Sequence, residues 1–233
     1  CALYFNKQLH LLLNTNPGFR TKNIIEVRLA YGSQDFTTMT EESWKQDRER
    51  MLAIYDKIRA CPLAEITESA WDPIIGQSYE TNYLTPEGKK ASLVLRCVSP
   101  SFFKMFEIDL KEGVLPDNDE KRYYAINQSA MKALGLTSLD GANVIEENRF
   151  RRNKNTAFYP ICAIVEDYYI GHLSMGAQPI IYEIEKIGGN SEYIAYQEGK
   201  LPELLDYLKG VMQEFYGTET VEYTFLEDEV KAI

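Results

Sequence analysis

The stretch LPELLDYLKGVMQEFYG, residues 201–217, constrains the fold more than any other part of the 233-residue chain. Leu201, Leu204, Leu205, Leu208, Val211, Met212 and Phe215 recur every three or four residues, which puts them on one face of a helix. Pro202 stands near its start and Gly217 after its end, the usual asymmetry of helix punctuation. Strand-like runs flank it, SEYIAYQE before and VEYTF after. The same order occurs near the other end. Residues 23–31 alternate, with Ile25, Val27, Leu29 and Tyr31 opposite Glu26 and Arg28, as a half-buried strand does. Thr40 then caps a helix over 41–60 whose apolar stripe is Trp44, Met51, Tyr55 and Ile58, with Pro62 closing it. A strand near 65–71 completes the unit. Strand–helix–strand units near both ends predict an α/β (α+β) chain.

The centre has a different pattern. Residues 91–98 read as a strand with Leu93, Leu95 and Cys97 on one face, and SPSFFKMFEIDLKEG opens a short helix at Ser99 and Pro100. A short strand over 123–127 enters the helix QSAMKALGL, which Gly135 ends. Val144 and Ile145 pair as a hairpin with 157–165 around the basic run RFRRNK. QPIIYEIE and SEYIAYQE are strands joined by a Gly188-Gly189-Asn190 turn. At the chain start, residues 1–14 are helical and apolar on one side until NTNPGF stops them. LEDEVKAI starts another helix at the other end. The first residue is Cys1, and two readings of the first helix stay open: the remnant beside a trimmed membrane-spanning helix, or a plain amphipathic first helix. No apolar run approaches the ~20 residues that cross a bilayer.

Charge excludes one class of partner. With 35 acidic and 25 basic residues the chain carries −10, and a polyanion such as nucleic acid is repelled. The basic run after Glu146 and Glu147 reads as a solvated hairpin tip. Four cysteines, Cys1, Cys61, Cys97 and Cys162, form no C-x-x-C pair, which disfavours zinc. DNDE, residues 117–120, lacks the rest of a calcium loop and reads as a solvated acidic loop. No nucleophile-elbow, zincin or phosphate-loop motif is present.

The densest set of titratable groups is IVEDYYIGHLS, which brings Glu166, Asp167, Tyr168, Tyr169 and His172 into eleven residues. If the strand runs through them, Glu166 and Asp167 point to opposite faces and share neither a proton nor a metal. The reading is a structural corner.

Several stretches, in order, resemble one family. FNKQLHLLLNTNPGFRTKNIIEVRL is similar to a segment leaving a first transmembrane helix through a "dxGF" turn. VSPSFFKMFEIDLKEGVLP resembles "V…yF…f…l..Gr", and YAINQSAMKALGLTSLDGANV resembles "viNe.aak.lG…p.G". YPICAIVEDYYIGHLSMGAQPIIY is similar to "…I.GVv.Dfh..sl…..P.i", and EYTFLEDEVKAI to "f.YsFlDe.f". The family is that of the extracytoplasmic domains of MacB/FtsX-like ABC-transporter permeases. Val114 stands where the pattern has arginine, Leu139-Asp140-Gly141 lacks its proline, and Tyr169 replaces a frequent histidine.

The resemblance implies a porter-like part, 1–98 with 162–233, and a mixed subdomain, 99–161, inserted in the middle. It implies a non-catalytic periplasmic domain of an inner-membrane permease, without cofactor or metal. Its role would be to transmit conformational change, in export or mechanotransmission. The partners would be a cytoplasmic ATPase, a second permease copy, and a periplasmic adaptor or substrate. Phe5, Leu9, Leu12, Phe19 and Phe225 are the expected membrane-coupling region, and Asp167 the expected turn cap. Two other readings compete. One is a standalone binding module, lipid-anchored at Cys1; the other is an acid–base enzyme built on Glu166, Asp167 and His172.

Overall fold

A computed structural model describes residues 17–29, 40–70, 73–76, 79–116, 123–171, 176–184 and 191–232. The first half contains β1 (Ile24–Arg28), α1 (Glu41–Arg59), β2 (Ala64–Ala70), β3 (Tyr79–Leu84), β4 (Lys90–Val98), α2 (Ser101–Met105) and β5 (Leu110–Gly113). There follow β6 (Tyr123–Asn127), α3 (Gln128–Leu134), β7 (Asn143–Glu146), α4 (Glu147–Arg152) and β8 (Tyr159–Val165). The last part holds β9 (Ile180–Ile184), β10 (Ser191–Tyr196), α5 (Leu201–Tyr216), β11 (Tyr223–Phe225) and α6 (Leu226–Lys231).

The chain divides into two compact units. One comprises 21–71 and 187–229; the other comprises 1–20, 72–186 and 230–233. The insertion expected from the resemblance, 99–161, lies within the second of these units. β3, β4 and β9 hydrogen-bond within the same sheet as β6 and β8, and take that unit out to 72 and 186.

In the first unit four antiparallel strands run in the order β11-β1-β10-β2. Counted within the unit this is strand order 4-1-3-2 in a βαββαβ chain, the ferredoxin-like arrangement. Both strand–helix–strand patterns read from the sequence belong to it. Thr40 Oγ1 accepts from the Ser43 amide at 3.2 Å, and Ser43 Oγ accepts from the Thr40 amide at 2.9 Å, so a reciprocal capping box starts α1. The helices cover one sheet face. Ile54, Tyr55 and Ile58 from α1 and Leu204, Leu208, Val211 and Met212 from α5 bury against Ile25, Val27, Ile194 and Tyr196. Met51 is partly buried beside them; the Trp44 side chain lies outside the described ones. The helices are also clasped at their rims. Tyr207 Oη donates to the Lys57 carbonyl at 2.7 Å, Lys57 pairs with Glu214 at 2.9 Å, and Arg50 donates to the Phe215 carbonyl over the Tyr216 ring. A cation on the last carbonyls of α5 is favoured by the helix dipole.

In the second unit seven strands run β5-β8-β6-β9-β4-β3-β7, and β7 also pairs with β8. Asn143 faces Pro160 and Val144 faces Tyr159, so the sheet closes on itself with β5 as an outer edge. All the ring strands contribute to one core: Tyr83, Leu93, Tyr124, Ile126, Val144, Ile161, Ile164 and Ile181, with Ala130 and Leu134 of α3.

Three sequence expectations change here. β3 was not expected; it forms a hairpin with β4 around Thr85 and Gly88, where Gly88 donates to the Thr85 carbonyl. The basic run is not a bare hairpin tip but the short helix α4. Arg149 pairs with Glu146 at 3.3 Å, and Arg151 and Lys90 share Glu147 at 2.8 Å each, so two of the run's four cations meet a carboxylate. β9 and β10, expected in succession, lie in different sheets.

Candidate functional site

The stretch 166–171 follows directly from the end of β8 at Val165. Its two carboxylates diverge. Glu166 pairs with Lys111 at 3.1 Å, Lys111 also lies 3.6 Å from Asp109, and the carboxylates hold the ammonium above its ordinary range. Asp167 instead reaches the first turn of α3. Its Oδ1 accepts from the Ser129 amide at 2.9 Å and its Oδ2 accepts from the Ser129 hydroxyl at 2.8 Å. Both oxygens are engaged, and the negative charge lies at a helix start, where exposed amides favour it. This arrangement does not place Glu166 and Asp167 on a common proton. His172 and the acidic stretch 117–120 lie outside the described residues. Among the described residues no three His, Cys, Asp or Glu side chains gather to hold a metal ion.

The corner is an anchoring point for the chain that enters it. The Tyr169 amide donates to the Pro17 carbonyl at 2.9 Å, and the Arg20 amide donates to the Phe106 carbonyl at 2.7 Å. Between these bonds the Phe19 ring is buried, edge-on to Tyr168 at 5.4 Å and to Phe106 at 6.1 Å. The cluster continues from Phe106 through Phe102 to Phe103 and Tyr182. Edge-to-face pairs of this kind add to the area they bury. Phe225 belongs to the other unit, on β11, where it contacts Tyr223 at 5.5 Å. Phe5, Leu9 and Leu12 lie outside the described residues.

Two residues at this corner were not singled out from the sequence. The first is Asn127, the last residue of β6, which is fully buried. Its Oδ1 accepts from the Ala130 amide at 2.9 Å and from the Ile180 amide at 2.8 Å, while its Nδ2 donates to the Gln178 carbonyl at 2.8 Å. One side chain thus caps α3 and fixes the entry to β9. The available signal was an Asn directly before a helical pattern. Asn127→Ala leaves buried backbone groups unpaired and is expected to cost about 3 kcal/mol in denaturant unfolding. Asn127→Asp keeps the acceptor, loses the donor to Gln178, and is expected to fall between the two.

The second is Arg96 on β4, opposite Tyr182 on β9. It is completely buried, and among the described residues none of its three guanidinium nitrogens has a hydrogen-bond partner. Burial drives the neighbouring Tyr182 phenol well above its ordinary range, with Tyr168 adding to the shift and the Arg96 charge opposing it. The signal in the sequence was a lone arginine within an apolar strand.

The thiols show no chemistry of their own. Among the described residues Cys61, Cys97 and Cys162 form no disulfide; Cys162 donates to the Tyr124 carbonyl, and burial pushes its thiol up to about 11. Few thiolates form at such a value, so Cys162 is a poor nucleophile.

No described helix is long and apolar enough to cross a membrane. No family model matches the sequence, and no curated protein does. Solved structures do match. The periplasmic region of MacB from Actinobacillus actinomycetemcomitans has a TM-score of 0.60 at 13% identity, covering 95% of this chain and 96% of that one. The extracellular domain of the noncanonic ABC-type transporter YknZ from Gram-positive bacteria has a TM-score of 0.56 at 14% identity, covering 87% and 100%. Over nearly its whole length the chain has the mixed α/β fold of these extracytoplasmic transporter domains.

Proposed function

We propose that the chain is the non-catalytic periplasmic domain of an ABC-transporter permease, and that it passes movement from the membrane to extracytoplasmic partners or substrate. The observation that carries this reading is the anchoring of 17–20. Two backbone hydrogen bonds and the buried Phe19 ring tie this segment to the corner after β8, so a pull on the preceding chain is borne by the seven-stranded unit. The shared fold supports the same reading, since both solved neighbours are extracytoplasmic parts of transport proteins. Such a domain acts by rigid-body displacement. ATP hydrolysis then belongs to a cytoplasmic domain or subunit, and a second permease copy and a periplasmic adaptor are the further partners. Asp167 acts as a structural clamp between the corner and α3.

The test is made in the full transporter. Phe19→Ser and the partly exposed Phe225→Ser are each expected to lower ATP-coupled transport at least tenfold. Thermal unfolding of the isolated chain separates lost coupling from lost folding. Unchanged transport in both variants overturns the coupling role.

A further inference from the structure

The ferredoxin-like unit contains a buried acid that the proposed function does not use. Glu192 lies on β10, opposite Ser69 of β2 on one side and Val27 of β1 on the other. It is completely buried. Its Oε2 accepts from the Ser69 hydroxyl at 2.5 Å, and among the described residues its Oε1 has no hydrogen-bond partner. Arg59, the last residue of α1, donates from its guanidinium to the same Ser69 oxygen at 3.1 Å and lies over the Tyr55 ring. The order is therefore guanidinium, hydroxyl, carboxyl. The Arg59 cation stops a single hydroxyl short of the acid.

That arrangement fits a neutral carboxylic acid. A buried carboxylate demands a direct counter-ion or several donors, and here the Ser69 hydroxyl gives one short bond, with the Thr67 hydroxyl a weaker second donor. Two charged groups act on it. Arg59 of α1 favours its ionised form and Glu68 of β2 opposes it, with the Ser69 and Thr67 hydroxyls assisting ionisation. On β1, Glu26 and Arg28 flank Val27 and alternate to the opposite face. Arg59 is an exposed residue whose guanidinium lies between the Ser69 hydroxyl and the Tyr55 ring.

We propose that Glu192 is a proton-operated latch between the end of α1 and the β2–β10 pair. Neutral, it leaves Arg59 on Ser69. When its proton passes to solvent, the carboxylate takes the Arg59 guanidinium directly, and Ser69 becomes a second donor to it. The end of α1 is then tied to β10 by a buried ion pair. The inference concerns this unit alone and stands apart from the transport reading.

Burial is the main cause that raises the Glu192 carboxyl from its ordinary 4.5 to about 7. The sign follows from that direction. The folded state binds the proton more tightly than the unfolded chain, so this group's contribution to stability is complete below pH 4.5. It is lost as pH rises through about 7.

The experiment is a carboxyl-carbon NMR titration of the 233-residue chain from pH 4 to 9, with the Arg59 Nε signal followed in parallel. Glu192 is expected to titrate near neutrality, and the Arg59 signal to shift with the same midpoint. Arg59→Gln should raise the Glu192 midpoint by one pH unit or more. In Glu192→Gln the Arg59 signal should no longer move between pH 5 and 8. The melting temperature of that variant should gain on the wild type as pH rises. A Glu192 midpoint below pH 5.5, an Arg59 signal that ignores it, or an unchanged midpoint in Arg59→Gln overturns the latch. The wild-type titration alone decides the matter should either variant fail to fold.

Discussion

Gly113→Ala is expected to leave the chain unable to complete its seven-stranded unit. Gly113 closes β5 with φ +86°, a backbone conformation that costs an L residue about 1 kcal/mol. The larger obstacle is distance. A Cβ there would lie 2.1 Å from the Cys162 carbonyl oxygen and 2.9 Å from the Ala163 Cα, both backbone atoms of β8. The third neighbour, Leu139 Cδ1 at 2.7 Å, could turn aside, but β8 cannot move without breaking its pairings with β6 and β7. β5 must therefore leave β8, losing the Glu112–Ile164 and Gly113–Ala163 pairings. The Val114 amide would also lose its bond to the Cys162 carbonyl. A loss of about 4 kcal/mol or more is expected in urea unfolding, enough to unfold a marginal domain. Gly88→Ala is the control. Gly88 has φ +82° with nothing within 4 Å of its would-be Cβ, so only the conformational cost of about 1 kcal/mol applies. Equal stability of the two variants would show that the close approach of β5 to β8 is wrong.

Gly113 also marks how far the sequence was legible. Its place in the segment resembling "l..Gr" was visible, but EIDLKEG was read as the continuation of a helix start. β5 has no buried residue, so there was no alternation to detect. β3 was missed for a related reason: in YETNYL only Thr81 and Tyr83 are buried, and Glu80 and Asn82 dilute the pattern. The two strand–helix–strand units were legible because helices cover one sheet face, so the apolar residues recur at the helical period along α1 and α5. The parallel pairing of β4 with β9 was not, because it joins residues more than eighty apart. Periodicity is local and cannot report such a contact. At the corner, the divergence of Glu166 and Asp167 was readable from their adjacency. The identity of their partners, Lys111 and Ser129, was not.

Arg96→Met is expected to make the domain more stable, against the usual direction of a core substitution. The wild-type guanidinium is shielded from solvent on all three nitrogens and has no acceptor among the described residues. Its surroundings include Tyr182, which packs against Phe102 and Phe103. A buried ion without a partner costs several kcal/mol after local relaxation, and replacing buried charge with apolar side chains of similar volume stabilises proteins by about 1–4 kcal/mol. Methionine follows the same unbranched path and fills irregular space, so the packing cost stays below about 1.5 kcal/mol. The net expectation is a gain of about 2 kcal/mol in urea unfolding at pH 7, with an unchanged dependence on denaturant. Arg96→Lys keeps the charge and should bring no such gain. If methionine instead lowers stability by more than about 1 kcal/mol, the guanidinium has an acceptor in solution, and Arg96 is a structural tie. If the gain is found, Arg96 costs the domain stability, and the reason for its presence must lie in what the domain does. Transport by a full transporter carrying Arg96→Met then tests the proposed coupling role, because a stabilised domain with impaired transport would tie Arg96 to that role.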